Sequence, residues 1–221
     1  MSLTLALDCA LRRINLGISD GEKFLGELSA DVGTRQAEVL PMAVENFLSA
    51  FGKTVRDLTL IAMTVGPGYF TGIRVGMSYA AGLAGSLGIM VTPVSTLDAM
   101  AVCLLEALAS GGIKRAVVPV IPAGRGSLYA AAYEAGPGSE KITLLEPSCV
   151  ETRMLRERLE KLAEGGRLMI TGNTFPPELD NPPCGGFVTQ MSVAEGIIKL
   201  ARALSPVDPA DARASYLRSP A

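Results

Sequence analysis

The stretch Val65-Gly66-Pro67-Gly68-Tyr69-Phe70-Thr71-Gly72-Ile73-Arg74-Val75-Gly76 constrains the fold more than any other part of the chain. It follows an apolar run, Leu58 to Val65, that reads as a strand, and it opens a small-residue helix running to about Ser86. Gly66-Pro67-Gly68 predicts a tight turn, because proline fixes φ and glycine accepts positive φ. Thr71 is the expected N-cap of the helix. Such a turn can hold an anion on the helix N-terminus, or it can let two backbones pack closely. Two common anion loops are excluded. No Gly-Lys-Ser/Thr follows, so this is not a Walker loop. Gly66-x-Gly68-x-x-Thr71 lacks the third glycine of the dinucleotide fingerprint, and the next strand, Ile89 to Val94, ends in Ser95 rather than an acid for a ribose.

Composition narrows the function classes. The 221 residues are 48% hydrophobic, enough for a sizeable core in one large or two small domains. A net charge of −2 gives no electrostatic case for direct RNA binding. Arg153, Arg156, Arg158 and Lys161 alternate with Glu151, Glu157, Glu160 and Glu164, which predicts a solvated helix face. The chain has no histidine, which excludes Ser-His-Asp and Cys-His triads and every His-ligated metal. Cys9, Cys103, Cys149 and Cys184 form no Cys-x-x-Cys pair, so free thiols in a reducing cytoplasm are expected, with no metal site. No leader pattern opens the sequence. Val75 to Met90 is uncharged but holds four glycines and two serines, so a buried helix and strand explain it better than a membrane segment.

Strands are expected at Leu3–Asp8, Arg13–Ser19 and Lys23–Ser29, with a hairpin turn at Asp20-Gly21. A helix over Arg35–Phe51 stops at Gly52, and the strand and helix of the signature stretch follow. After the strand at 89–94, Ser95-x-x-Asp98 resembles a capping box, and its helix ends near Gly111-Gly112. Strands at Ala116–Ile121, Ser127–Glu134 and Lys141–Glu146 precede a helix at Glu151–Leu162, a strand at Arg167–Thr171 and a helix at Ser192–Leu204. Loops are marked by Pro176-Pro177, Asn181-Pro182-Pro183 and Gly185-Gly186. Three strands and then alternating helix and strand is the order of the actin-like ATPase fold (the sugar-kinase and heat-shock-chaperone superfamily), which repeats one such domain twice. The expected architecture is therefore α/β with two subdomains, 1–110 and a reduced second copy at 111–221.

Two helices carry more apolar surface than a core requires. In 35–51, Ala37, Leu40, Val44, Phe47, Leu48 and Phe51 form a core stripe, and Val39, Met42, Ala43 and Ala50 form a second strip beside it. In 71–86, Gly72, Gly76, Ala80, Ala81 and Ala84 permit close approach, and Arg74 is the single charge. The pattern fits buried helices and partner-facing helices equally.

The whole signature, Gly-Pro-Gly-x-Phe-Thr-Gly-Ile-Arg-Val-Gly, resembles that of the TsaB (YeaZ) family, part of the bacterial machinery that makes threonylcarbamoyladenosine beside the tRNA anticodon. Leu5-Ala6-Leu7-Asp8 resembles the family's first strand, Leu40-Pro41 the end of its first-helix motif, and Pro93-Val94-Ser95-Thr96-Leu97-Asp98-Ala99 its later strand-to-helix step. Thr171-Gly172-Asn173 and Tyr216-Leu217-Arg218 match weaker positions. The resemblance is dense from 58 to 101 and thin from 135 to 190. It implies a subunit that pairs with the catalytic, glycoprotease-like paralogue TsaD, works in a cycle with the small ATPase TsaE, and meets tRNA indirectly through the complex. It also implies a homodimer when TsaD is absent. The implied interface residues are Arg35, Gln36, Val39, Met42 and Ala43 on the first helix and Arg74 and Ser78 on the second. Gly66, Pro67, Gly68 and Gly72 are then structural.

Departures from the pattern argue against catalysis. Asp8 sits where an actin-like ATPase holds Mg²⁺, but Cys9-Ala10 follows it where Thr-Ser is usual, and this removes hydroxyl donors to phosphate. In the second half Pro122 stands in place of an acid, and Arg125 is displaced from the usual basic position. Many relatives carry histidine where Gln36 stands. Asp8 thus marks a degenerate nucleotide site, no cofactor is expected, and the chain reads as a scaffold. The alternative is an active actin-like ATPase or small-molecule kinase.

Overall fold

The computed structural model describes residues 2–113, 115–136, 141–163, 168–174, 179, 186–190 and 192–217. The chain forms two compact units. One comprises Met1–Ala99 with Ser192–Ser215, the other Met100–Met191 with Tyr216–Ala221.

The first unit is built on a sheet of β1 (Leu3–Asp8), β2 (Ile14–Asp20), β3 (Lys23–Ala30), β4 (Leu60–Thr64) and β5 (Met90–Val94), in the order β3-β2-β1-β4-β5. The first three strands are antiparallel, and β4 and β5 run parallel to β1. Alternation along the central strand assigns its two faces. Leu3, Leu5 and Leu7 share a core with Leu40, Val44 and Leu48 of α1 (Gln36–Ser49) and Ala80 and Ala84 of α2 (Phe70–Leu87). Ala6 lies on the other face beside Gly17, whose added Cβ would stand 2.8 Å from that of Ala194 on α5 (Ala194–Ala203). Small residues on that face let α5 lie close to the sheet. The segment after α5 continues in the same unit: Val207 bridges Val91 on β5, and Ser215 N donates to Val65 O at 2.7 Å.

The second unit repeats the strand plan. Its sheet, in the order β10-β9-β6-β7-β8, contains β6 (Ala116–Gly124), β7 (Ser127–Ala135), β8 (Lys141–Glu151), β9 (Leu168–Gly172) and β10 (Phe187–Thr189). Three strands are antiparallel, and two run parallel to the first of them. Leu155 and Leu159 of α4 (Thr152–Ala163) enter its core. The charged face of α4 is exposed and carries the pairs Arg153–Glu157 at 3.5 Å and Arg156–Glu160 at 3.3 Å. Among the described residues, no helix is long and apolar enough to cross a membrane.

Two expectations about organisation change. Residues 192–215 were placed in the second subdomain but belong to the first unit, because Val193, Ala194, Ile197 and Ile198 are buried there and Gly196 packs against the backbone of Ala99. Gly111-Gly112 marks no junction between units. It ends α3 (Thr96–Ser110), with Gly112 at φ 66 and Ile113 N donating to Leu108 O at 2.9 Å. Arg167 and the loop calls at 176–177, 181–183 and 185 lie outside the described residues.

Candidate functional site

Asp8 ends β1 and is fully buried. Backbone and side-chain groups of the chain occupy its carboxylate. Ala10 N donates to Oδ1 at 3.0 Å, Thr64 Oγ1 to Oδ1 at 2.6 Å, and Asn15 Nδ2 to Oδ2 at 2.8 Å. Asn15 lies opposite Asp8 in the β1–β2 register, and Thr64 ends the neighbouring β4. The network continues outward: Ser29 Oγ donates to Asn15 Oδ1 at 2.7 Å, and Arg13 Nε donates to Ser29 Oγ at 3.0 Å. Burial raises the Asp8 carboxyl above its ordinary range, against the opposing pull of the Thr64, Asn15 and backbone hydrogen bonds. Burial, with the Asp8 charge beside it, also pushes up the Cys9 thiol.

The signature turn closes over this strand end. Tyr69 N donates to Ala10 O at 2.7 Å, and an added Cβ on Gly68 would stand 2.6 Å from the same oxygen. A Cβ on Gly72 would collide with Cys9 O. Gly66, at φ 107, faces Ser215 O, 2.5 Å from where its Cβ would be. These glycines therefore serve close backbone approach. The helix begins earlier than expected: Tyr69 is the N-cap, without a side-chain cap, and Thr71 is exposed in the first turn. The Tyr69–Ala10 hydrogen bond fixes that start.

A magnesium–nucleotide, which the fold class would suggest, does not fit here. Asp8 has no exposed surface, and its oxygens are engaged by donors that include Ala10 N, Asn15 Nδ2 and Thr64 Oγ1. Cys9 and Ala10 present no hydroxyl. Pro122 is exposed on β6 two residues before a hairpin turn in which Arg125 has φ 54. No cluster of three or more acid or cysteine ligands occurs among the described residues.

α1 and α2 touch on one side of the sheet. Arg35 is exposed, Met42 is 59% exposed, Val39 and Ala43 are half-buried, and Arg74 and Ser78 on α2 are exposed. Gln36 departs from its expected surface role. It is buried and donates through Nε2 to Cys9 O at 3.2 Å and Arg13 O at 3.0 Å, tying α1 to the β1–β2 loop. Ala37, expected in the core stripe, is exposed because Leu40, Val44, Phe47 and Leu48 suffice to face the sheet. Asn15 and Thr64 were missed. Strand register could have found Asn15, since the antiparallel pairing of β1 with β2 sets it against Asp8.

A family model described as TsaD, tRNA N6-adenosine threonylcarbamoyltransferase, matches residues 31–202, more than half of the chain. The Escherichia coli tRNA threonylcarbamoyladenosine biosynthesis protein TsaB is 36% identical over 121 residues, 52% of this chain and 50% of that protein. The chain spans about half the length of the curated relatives it matches. A Pseudomonas aeruginosa structure, described as an uncharacterized protein with similarity to peptidase YEAZ, superposes with a TM-score of 0.79 over 99% of this chain and 100% of that one, at 22% identity. An Arthrobacter inorganic polyphosphate/ATP-glucomannokinase has a TM-score of 0.50 at 15% identity over 92% of this chain and 98% of that one, and so shares the actin-like fold alone. The signature turn, the doubled strand plan and these matches agree, and the chain belongs to the TsaB/YeaZ family, paralogous to the transferases that the matching model describes.

Proposed function

We propose that this chain is a non-catalytic subunit of the machinery that installs threonylcarbamoyl on tRNA adenosine, and that it binds and orients a TsaD-type transferase through α1 and α2. The observation that carries this reading is the exposed Met42 on α1, flanked by Val39 and Ala43 and lying beside a small-residue helix. An exposed apolar strip with arginines at its edge suits a protein interface. The engaged Asp8 supports a scaffold over an ATPase. tRNA and a TsaE-like ATPase meet the chain through the transferase, and a second copy can take the same strip when the transferase is absent.

Light scattering of the chain with the transferase of its own organism tests this reading. A one-to-one complex is expected, weakened at least about tenfold by Met42→Glu. Met42 is a cleaner probe than Val39, which packs against the core. Absence of a complex with the unsubstituted chain overturns the proposal.

A further inference from the structure

The face of the first sheet that α5 covers carries a crevice of about 290 Å³, lined by Thr4, Ser19 and Leu60 of the sheet and Ile198, Ala201 and Arg202 at α5. Thr4 on β1 stands opposite Ser19 on β2 and, on its other side, opposite Leu60 on β4. Alternation puts Thr4 and Ser19 on the same face as Ala6 and Gly17, and the approach of Gly17 to Ala194 identifies that face as the α5 side. Thr4 is 8% exposed and Ser19 1%, yet neither hydroxyl bonds to any group among the described residues. Hydroxyls placed so deeply are ordinarily hydrogen-bonded. Arg202 is held in place by the β2–β3 turn. Its Nη2 donates to Glu22 O at 2.6 Å and to Gly21 O at 3.3 Å, and Gly21 N in turn donates to Ser2 O at 3.0 Å. Among the described residues Nε and Nη1 of Arg202 make no hydrogen bond, and its charge makes no ion pair.

We propose that this crevice binds a small aliphatic carboxylate, with Arg202 and the Thr4 and Ser19 hydroxyls donating to its oxygens and its short chain lying on Leu60, Ile198 and Ala201. The planar guanidinium matches a carboxylate, and hydroxyls serve as donors to the same oxygens. Apolar walls with a few convergent polar groups are what a small organic ligand requires. A singly charged ligand suits the crevice better than phosphate, because Glu22 lies in the same wall and Arg202 is its one positive charge. A ligand held in this way joins β1, β2 and α5, and so stabilises the first unit by mass action. Such binding needs no partner protein and stands apart from the proposed function.

The test titrates sodium butyrate into the full chain at fixed ionic strength and follows the backbone amides by NMR, with n-butanol and inorganic phosphate as controls. Butyrate is expected to shift the amides of Thr4, Ser19 and Gly21 saturably, with a Kd of about 1 mM. Each control is expected to bind at least about tenfold more weakly, since each lacks one half of the match. The double variant Thr4→Val/Ser19→Ala removes both hydroxyls without cutting a hydrogen bond, so in the absence of butyrate it is expected to melt no lower than the unsubstituted chain. It is expected to bind butyrate about tenfold more weakly. Arg202→Lys keeps the charge but not the planar fork, and is expected to weaken binding as well. Absence of saturable butyrate binding overturns the proposal, as does equal binding by the double variant or shifts confined to amides elsewhere. Phosphate binding as tightly as butyrate also overturns it, in favour of a bare oxyanion site, and butanol doing so overturns it in favour of an apolar one. A lower melting temperature of the double variant without butyrate would assign the hydroxyls to the fold and overturn it too.

Discussion

Burial strips Asp8 of water, and Thr64, Asn15 and the Ala10 amide replace part of that solvation. The group acts as a structural joint between β1, β2 and β4. Removing it leaves the buried donors of Ala10, Asn15 and Thr64 without that acceptor, so Asp8→Ala should lose about 3 kcal/mol of stability. Its titration gives a sharper prediction. Unfolded, the carboxyl titrates near 3.8; folded, burial holds it higher. Between the two values the folded state keeps a proton that the unfolded state releases. The stability contributed by that proton is complete below 3.8 and is lost as pH rises through the folded value. Asp8→Asn cannot titrate, and its amide is accommodated if the Asn15 side chain flips. Stability measured by denaturant at a series of pH values should therefore show the unsubstituted chain losing ground to Asp8→Asn as pH rises from 4. A constant difference would mean that Asp8 is not the buried, proton-holding group described here.

At the scale of elements, the β6–β7 hairpin shows where local chemistry conflicts with local structure. Gly124 and Ser127 pair across a two-residue turn whose central residues, Arg125 and Gly126, have φ 54 and 71. Both angles are positive, as a type I′ turn requires, and asparagine is far better suited than arginine at the first position. Arg125→Asn should raise stability by about 0.5–1 kcal/mol, read as a higher denaturant midpoint at unchanged slope. Elsewhere the elements were legible. Apolar period and glycine punctuation placed most strands and helices to within a few residues, although β8 runs on to Glu151, five residues past its expected end, and the three-strand opening announced the doubled plan. β10 was missed because three residues, two of them exposed, carry no period. Gln36 was misread for a different reason. Its burial is decided by Cys9 O and Arg13 O, acceptors supplied by other elements, and no pattern within α1 contains them. Asp8 was legible as a special position, but its partners depend on strand register. The signature glycines were legible as either an anion loop or a close contact, and only the position of the Cys9–Ala10 backbone decides for contact.

At the scale of the whole molecule, the chain completes its first unit with Ser192–Ser215, a segment that follows the strands of the second. Ala6 and Gly17 leave one face of the first sheet shallow, and α5 fills it with Val193, Ala194, Ile197 and Ile198, all buried. Burial of the two isoleucines alone contributes about 3–6 kcal/mol. That is a large part of the roughly 5–15 kcal/mol available to a folded domain. The segment after α5 adds the Val91–Val207 bridge and the Ser215–Val65 hydrogen bond against the signature turn. A chain ended at residue 191 should therefore fail to fold its first unit, although every strand of that sheet is present. Hydrogen exchange would show β1 and β4 unprotected in the shortened chain and protected in the full one. A synthetic peptide of residues 192–221, added in excess, should restore protection, because the missing contacts are non-covalent and binding shifts the folding equilibrium by mass action. Full protection without the peptide would show that the first sheet is stable without α5, and that the close Gly17–Ala194 packing contributes little to it.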